Sequence, residues 1–201
     1  METFLRTHKN ISSLDFSNIA NKILNETNLM INGYACRICE IEFYYFSDDH
    51  SDLYTHAHLD QLNWGKWYFH RFNNGTYKNG NYKGMDISIG DGKNSRGGIL
   101  IRSIYDPVDD IFIEGPCKTV NHILSKYKFD KLSEFIGNDM LDVLENKYEL
   151  VLRDCDGREN QEKIYHGPRI GLSAKYPEFR YLKYRYVIGP IKKEKRTLLA
   201  L

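Results

Sequence analysis

Apolar residues at Leu14, Phe16, Ile19, Ala20, Ile23 and Leu24 follow the spacing of one helix face, and Ser12 or Ser13 stands where an N-cap belongs. The pattern predicts a helix over 14–28 packed on a sheet. Asn32-Gly33 is a turn signal, and 34–46 reads as a long strand that runs into the acidic, polar loop 47–52. Along that strand Glu40, Glu42 and Tyr44 share one face, while Ile41, Phe43 and Tyr45 take the other. The polar face is expected to look into a cleft.

A second aromatic strand is predicted at 64–72, followed by a turn-rich loop over 73–81. Residues 85–89 and 98–104 read as paired strands joined by the Gly- and Asp-rich turn 90–97. Pro116 opens a predicted helix that ends near Lys126, and 131–146 reads as one or two more helices, with Leu132, Phe135, Ile136, Met140, Leu141 and Leu144 inward. Further strands are expected at 148–152, 164–172 and 179–188, with a turn at 154–158. Strands mixed with helices and adjacent hairpins imply an α+β fold. One domain over 1–190 and a basic tail over 191–201 complete the expected organisation.

With 201 residues and 41% hydrophobic content, the chain can bury one substantial core. No run of about 18 apolar residues occurs, and the N-terminus lacks the pattern of a secretory signal, so an intracellular protein, cytoplasmic or nuclear, with no membrane partner is expected. The formal charge of +1 is low for a nucleic-acid partner, which rewards clustered Lys and Arg. Such a cluster exists locally: Lys175, Arg180, Lys183, Arg185, Lys192, Lys193, Lys195 and Arg196 are interleaved with Tyr176, Phe179, Tyr181, Tyr184 and Tyr186. An edge strand followed by a solvated tail is the competing reading. Of the four cysteines, Cys36 and Cys39 have C-x-x-C spacing, but strand alternation sets them on opposite faces and no second pair completes a metal site. Reduced thiols are expected.

Four stretches occur in one order: Cys39-Glu40-Ile41-Glu42-Phe43-Tyr44, Gly98-Ile99-Leu100-Ile101-Arg102, Gly115-Pro116-Cys117-Lys118 and Pro168-Arg169-Ile170-Gly171. Together they resemble the 3-methyladenine (alkyladenine) DNA glycosylase family, whose members flip a damaged base out of duplex DNA and hydrolyse its N-glycosidic bond. The resemblance implies a single domain with a curved, mainly antiparallel sheet flanked by helices and an active site in a cleft along one side. It also implies a monofunctional enzyme in which water attacks and neither metal nor organic cofactor takes part. Its partner would be DNA, and a surface that meets an extended duplex points to a monomer.

Hydrolysis of a nucleoside bond needs a carboxylate near the anomeric carbon, as general base and as counter-charge to the developing cation. The resemblance gives that role to Glu42, gives Arg102 a share in holding the water, and gives the third contact to the backbone carbonyl of Ile170. Arg102 also ends an apolar run, where a charge needs a partner, so a purely structural ion pair competes. Glu40 reads as structural, paired with Arg37 or a cleft lysine. Tyr44 resembles the aromatic wall that stacks on a flipped base. His56, favoured over His58, lies where the family has its base-contacting histidine, and Tyr68 or His70 matches a second stacking position. Leu100 completes the pocket.

Asp86 stands where the family pattern has an asparagine that excludes unwanted exocyclic amines. An ionised carboxylate only accepts hydrogen bonds, so it favours an amino group and shifts the expected base preference; a turn cap or a pair with Lys83 is the alternative. Phe72 is the apolar candidate for a wedge at the minor groove, although the loop to Asn81 is an insertion relative to the family. That departure leaves room for single-stranded, RNA or free-nucleoside substrates. Lys118 at a helix start, with Lys175, Arg180 and Lys183, would contact phosphates. Two rival functions remain: a nucleic-acid-binding protein without turnover, and a nucleosidase acting on free modified nucleosides.

Overall fold

A computed structural model of the chain describes residues 15–155 and 161–189 and the backbone of 199–200. The expected N-cap at Ser12 or Ser13, Leu14, residues 156–158 of the predicted turn, and Lys192, Lys193, Lys195 and Arg196 lie outside the described residues.

The periodic apolar face forms α1 (Asp15–Glu26), on which Phe16, Ile19, Ala20, Ile23 and Leu24 are buried. Phe16 stacks on Phe43 with ring centroids 4.3 Å apart and presses the helix onto the sheet. β1 (Thr27–Ile31) follows directly, a strand that the helical pattern concealed. Asn32 and Gly33 have φ of 50° and 83°, positive at both positions as a two-residue hairpin turn demands, and β2 (Tyr34–Ser47) returns antiparallel to β1.

The remaining strands are β3 (His50–Ser51), β4 (Trp64–Phe69), β5 (Met85–Ile89), β6 (Arg96–Asp106), β7 (Ile111–Glu114), β8 (Val151–Asp154), β9 (Tyr165–Gly167), β10 (Arg185–Val187) and β11 (Leu199–Ala200). Their main path runs β11-β9-β10-β2-β6-β5-β4, with β1 and β3 paired to β2, β7 to β6 and β8 to β1. The molecule is thus an α+β single domain whose antiparallel sheet curls into a half-barrel, with four helices among the described residues. The other helices are α2 (Pro116–Lys126), α3 (Leu132–Phe135) and α4 (Pro177–Arg180). Ile41, Phe43, Ile87, Ile99 and Ile101 are essentially without exposure in one core that also takes in α1 and α2. Each such side chain contributes about 1.5–3 kcal/mol through burial. Among the described residues, no helix is long and apolar enough to cross a membrane.

Several expectations need correction. The segment 131–146 forms only the single turn α3; beyond it, the main chain pairs with the edge of β4, through Trp67 N–H to Leu141 O at 2.8 Å and Val143 N–H to Gly65 O at 3.0 Å. Edge pairing buries Leu141 and Val143, leaves Leu144 partly buried and turns Met140 outward at 42% exposure. The strand expected over 164–172 stops at Gly167, because Pro168 has no N–H to continue the ladder. The strand expected over 179–188 is divided: Pro177 starts the turn α4, and pairing resumes only at Arg185. The expected strand 148–152 forms three residues later, as β8. At the C-terminus, the backbone of 199–200 adds an edge strand to β9, so those two residues are not a loose tail.

Candidate active site

β2 lies between β10 and β6, and a bulge at Glu40 shifts its register against β6. Glu42 faces Arg185 on one side and Leu100 on the other in the backbone register and is 0% exposed. A buried carboxylate requires donors, and it has three. Tyr44 Oη donates to Glu42 Oε2 at 2.8 Å, Arg102 Nη1 donates to the same oxygen at 3.3 Å, and the Ile170 N–H donates to Oε1 at 2.8 Å. Burial lowers the pKa of Arg102, but Glu42 and Glu40 beside it outweigh that and raise it, so the guanidinium stays charged. Burial, followed by the neighbouring Glu42, pushes the Tyr44 phenol well up and keeps it a neutral donor.

Among the described residues, the partners of Glu40 are other than Arg37 or a lysine. Arg185 Nε donates to its Oε1 at 2.6 Å and the Ser103 hydroxyl to its Oε2 at 2.8 Å, while Arg102 Nε lies 3.3 Å from Oε1, close enough for an ion pair but out of hydrogen-bond alignment. Arg37 instead pairs with Glu162. Arg102 therefore bridges two buried carboxylates, and Arg185, counted above in the basic cluster, is 3% exposed and locks Glu40.

Beside this cluster opens a hollow of about 340 Å³ lined by Tyr44, His56, His70, Asp86, Leu100, Arg102 and Ile170, among others. That volume falls in the range of about 300–1,000 Å³ common to small-molecule sites. Glu42 sits just behind its wall, reached through Tyr44 and Arg102. On the far side Asp86, 2% exposed, accepts from Gln61 Nε2 at 3.2 Å and meets His70 Nε2 at 2.8 Å. Asp86 thus neither caps a turn nor pairs with Lys83, whose ammonium donates to Asn121. The pairing assigns His70 Nε2 as the donor to the carboxylate and turns Nδ1 away from it. Two glycines make room for this pair. A Cβ on Gly98 would stand 2.4 Å from Asp86 Oδ2, and one on Gly84 would stand 2.4 Å from the His70 ring.

The expected pocket residues divide between two spaces. His58 caps the 3-10 turn Leu59–Leu62 by accepting from the Asp60 N–H, and its ring stacks on Tyr68 at 5.5 Å. Both line a second, outer hollow rather than the first. His56 borders both hollows, with its ring 4.3 Å from that of His70. The residue as a whole is exposed, yet its ring is enclosed by His70, Tyr68 and Lys78; desolvation, with the neighbouring His70 second, takes its pKa down to about 4. The base-contacting candidate is therefore a neutral imidazole at pH 7. Phe72 is 44% exposed at the rim of the outer hollow. Lys118, Lys175 and Lys183 are exposed, and Arg180 is half-buried on α4.

Two contributors escaped the sequence reading. Arg169, fully buried at its side chain, pairs with Asp52, donates to the carbonyls of Phe43 and Phe179, and lies 4.5 Å over the Tyr44 ring. It fixes both the aromatic wall and the loop that offers the Ile170 N–H. Its place inside Pro168-Arg169-Ile170-Gly171 was the available signal. Gln61, 0% exposed, had none: a polar residue in a turn shows no pattern that marks it as buried.

Cys36, unlike its C-x-x-C partner, does have candidate co-ligands: its ligand atom and those of Asp106 and His122 lie within 4.8 Å of one another. Asp106 is already bound by His122 Nε2 and by Lys126 Nζ, each at 2.9 Å, and burial pushes the Cys36 thiol up to about 12. A neutral thiol and an ammonium at the carboxylate are a poor donor set for a cation.

Fold and site define an α+β protein with a half-buried arginine that bridges two buried carboxylates beside a ligand-sized hollow. No family model matches the chain. It is 43% identical over 214 residues to an uncharacterized protein of Acanthamoeba polyphaga mimivirus, an alignment that covers 98% of this chain and 99% of that protein. The chain belongs to the same family as that viral protein.

Proposed function

We propose that this protein is a monofunctional N-glycosylase that hydrolyses the N-glycosidic bond of a modified base drawn into the inner hollow. The carrying observation is the meeting of Glu42, Arg102, Tyr44 and the Ile170 main chain at the edge of a space of about 340 Å³. Oε2 already accepts from both Tyr44 and Arg102, whereas Oε1 accepts only from the Ile170 N–H and keeps a second acceptor direction for one water. In this reading the water stands between Glu42, Arg102 and the Ile170 carbonyl. Glu42 takes its proton as it attacks the anomeric carbon, and the same charge stabilises the cationic sugar.

Tyr44 packs against the base. His56 and the Asp86-oriented His70 face it from the other side and supply the polar contacts that choose it. Because the oxygens of Asp86 already serve Gln61 and His70, its effect on base choice acts through the His70 ring it orients as well as through its own charge. Substrate strands would be nucleic acid, held by local cations rather than by the net charge.

A second reading, binding without turnover, is favoured by one feature: both Glu42 oxygens are engaged and the residue has no exposure. A screen of oligonucleotides carrying alkylated, deaminated and amino-substituted bases, scored for abasic sites, separates the two. Base release by wild type that is lost in Glu42→Gln supports hydrolysis. Tight binding with no release from any strand or nucleoside supports the second reading.

A further inference from the structure

The inner hollow is the first of three in a row. The second, of about 670 Å³, shares His56 and Tyr82 with it. The third, of about 420 Å³, shares Lys78 with the second and continues past Lys83 and Lys131. Most of this path is built by the 71–83 segment, which Arg71 braces: its guanidinium lies 4.0 Å over the Tyr77 ring and donates to the Gly75 carbonyl at 2.9 Å. Cys117 Sγ on α2 contacts the Gly80 carbonyl, so the helix supports the far end of the segment. The hollows are therefore shaped by packing.

Their chemistry alternates. Tyr82 and Phe72, 73% and 44% exposed, present flat apolar faces at the rim of the second hollow. At its junction with the third stands Lys78, half-buried, whose ammonium lies 3.2 Å from His56 Nε2 and has no carboxylate at ion-pair distance among the described residues. Burial lowers its pKa, the mark of a cation lacking a counter-charge. Tyr68 lines the same hollow at 2% exposure, and its hydroxyl has no hydrogen-bond partner among the described residues; the Arg71 main chain is near enough to affect it without forming an aligned bond. A buried hydroxyl without a partner is costly unless something fills the need.

We propose that these hollows form the track of a single-stranded polynucleotide: the second takes the nucleotide next to the flipped one, Lys78 holds a phosphate between the second and third, and the Tyr68 hydroxyl bonds the flanking nucleotide. Alternating aromatic faces and lysines are what an unpaired strand requires, since each base has a face to stack and each linkage a charge to neutralise. The proposal deepens the base-pocket reading and rests on it for the first position only.

The test is equilibrium binding of the full-length protein to thymidine and to oligothymidylates of increasing length, with oligouridylates and a duplex as parallel arms. Affinity should rise at each of the second and third nucleotides and then level off, and the duplex should bind more weakly than the single strand. Lys78→Met should weaken the trinucleotide by about tenfold and lower the salt slope by about 0.7, whereas Lys93→Met, at the exposed β5–β6 turn, should change neither. Affinity independent of length, a duplex bound as tightly as the single strand, or a Lys78→Met variant equal to wild type overturns the track. Length-dependent binding without base release from any strand would keep the track and remove the hydrolytic reading. Release from free nucleosides and long strands at equal rates would do the reverse. Oligouridylates, which differ in the sugar and in the thymine methyl but keep stackable bases and phosphates, should show the same rise with length, and its absence would overturn the track.

Discussion

The protein contains two buried carboxylate clusters that look alike in composition and differ in what lies beside them. Glu42 and Asp106 are both 0% exposed, and each accepts from a basic side chain and from backbone N–H groups. Around Asp106 every neighbour is structural: His122 and Lys126 come from α2, Val108 and Asp109 from the turn before β7, and their bonds pin the helix to the sheet. Around Glu42 the partners converge from β2, β6 and the loop after β9, and three of them also border a hollow. Burial and pairing alone therefore do not mark a site. A charge held ready at the edge of an accessible space does.

The largest effect that separates the clusters is on rate. Glu42→Gln should reduce base release by about 10²–10⁴-fold, measured in single turnover on whichever strand the wild type cleaves. Asp106→Asn, corrected for the fraction folded, should leave that rate unchanged. Stability should answer in the opposite sense. Asp106→Asn removes one partner of a buried ionic cluster and should cost about 3–5 kcal/mol in denaturant unfolding. If it lowered base release and not stability, the distinction between the clusters would collapse.

Substrate choice comes next in size. Asp86→Asn weakens the hold on His70 and restores an amide, and should shift preference toward alkylated and deaminated purines by on the order of tenfold. An unchanged profile in competition assays would remove Asp86 from base selection.

Acid titration gives the smallest effects and separates two windows. Asp106, with donors that outweigh its desolvation, has a pKa lowered from 3.8 to about 2. It stabilises the fold above 3.8, and that contribution disappears as pH falls toward about 2. The lowered pKa of His56 places its window higher: the contribution is complete above 6.5 and is lost as pH falls to about 4. His56→Gln should flatten the upper window by about a degree in Tm, small because part of the residue is in solvent, and should leave the lower window intact.

The Glu42 cluster was more legible in the sequence than the loops around it. Strand alternation placed Glu40, Glu42 and Tyr44 together, and a charge closing an apolar run marked Arg102 as needing a partner, since both signals are local; the resemblance of the motifs supplied their roles. The residues that complete the site lie on segments whose paths are set by long-range contacts. Arg169 reaches its place through Asp52, more than a hundred positions earlier, and Gln61 through Asp86. The same cause explains the misread 131–146 segment, whose apolar residues have a helical spacing but whose backbone is taken by the edge of β4. The predicted helix ran two residues too far, to 28, and β1 went unread for a different reason: five residues between a helix and a turn are too few for a period to show.

The central claim is that the Glu42 charge faces a cationic sugar. An oligonucleotide in which one nucleotide is replaced by a pyrrolidine abasic analogue carries that charge whatever base the enzyme removes. Wild type should bind it at least about tenfold more tightly than the matching uncharged tetrahydrofuran strand, and Glu42→Gln should erase the difference. Equal binding of the two strands by wild type would contradict the claim.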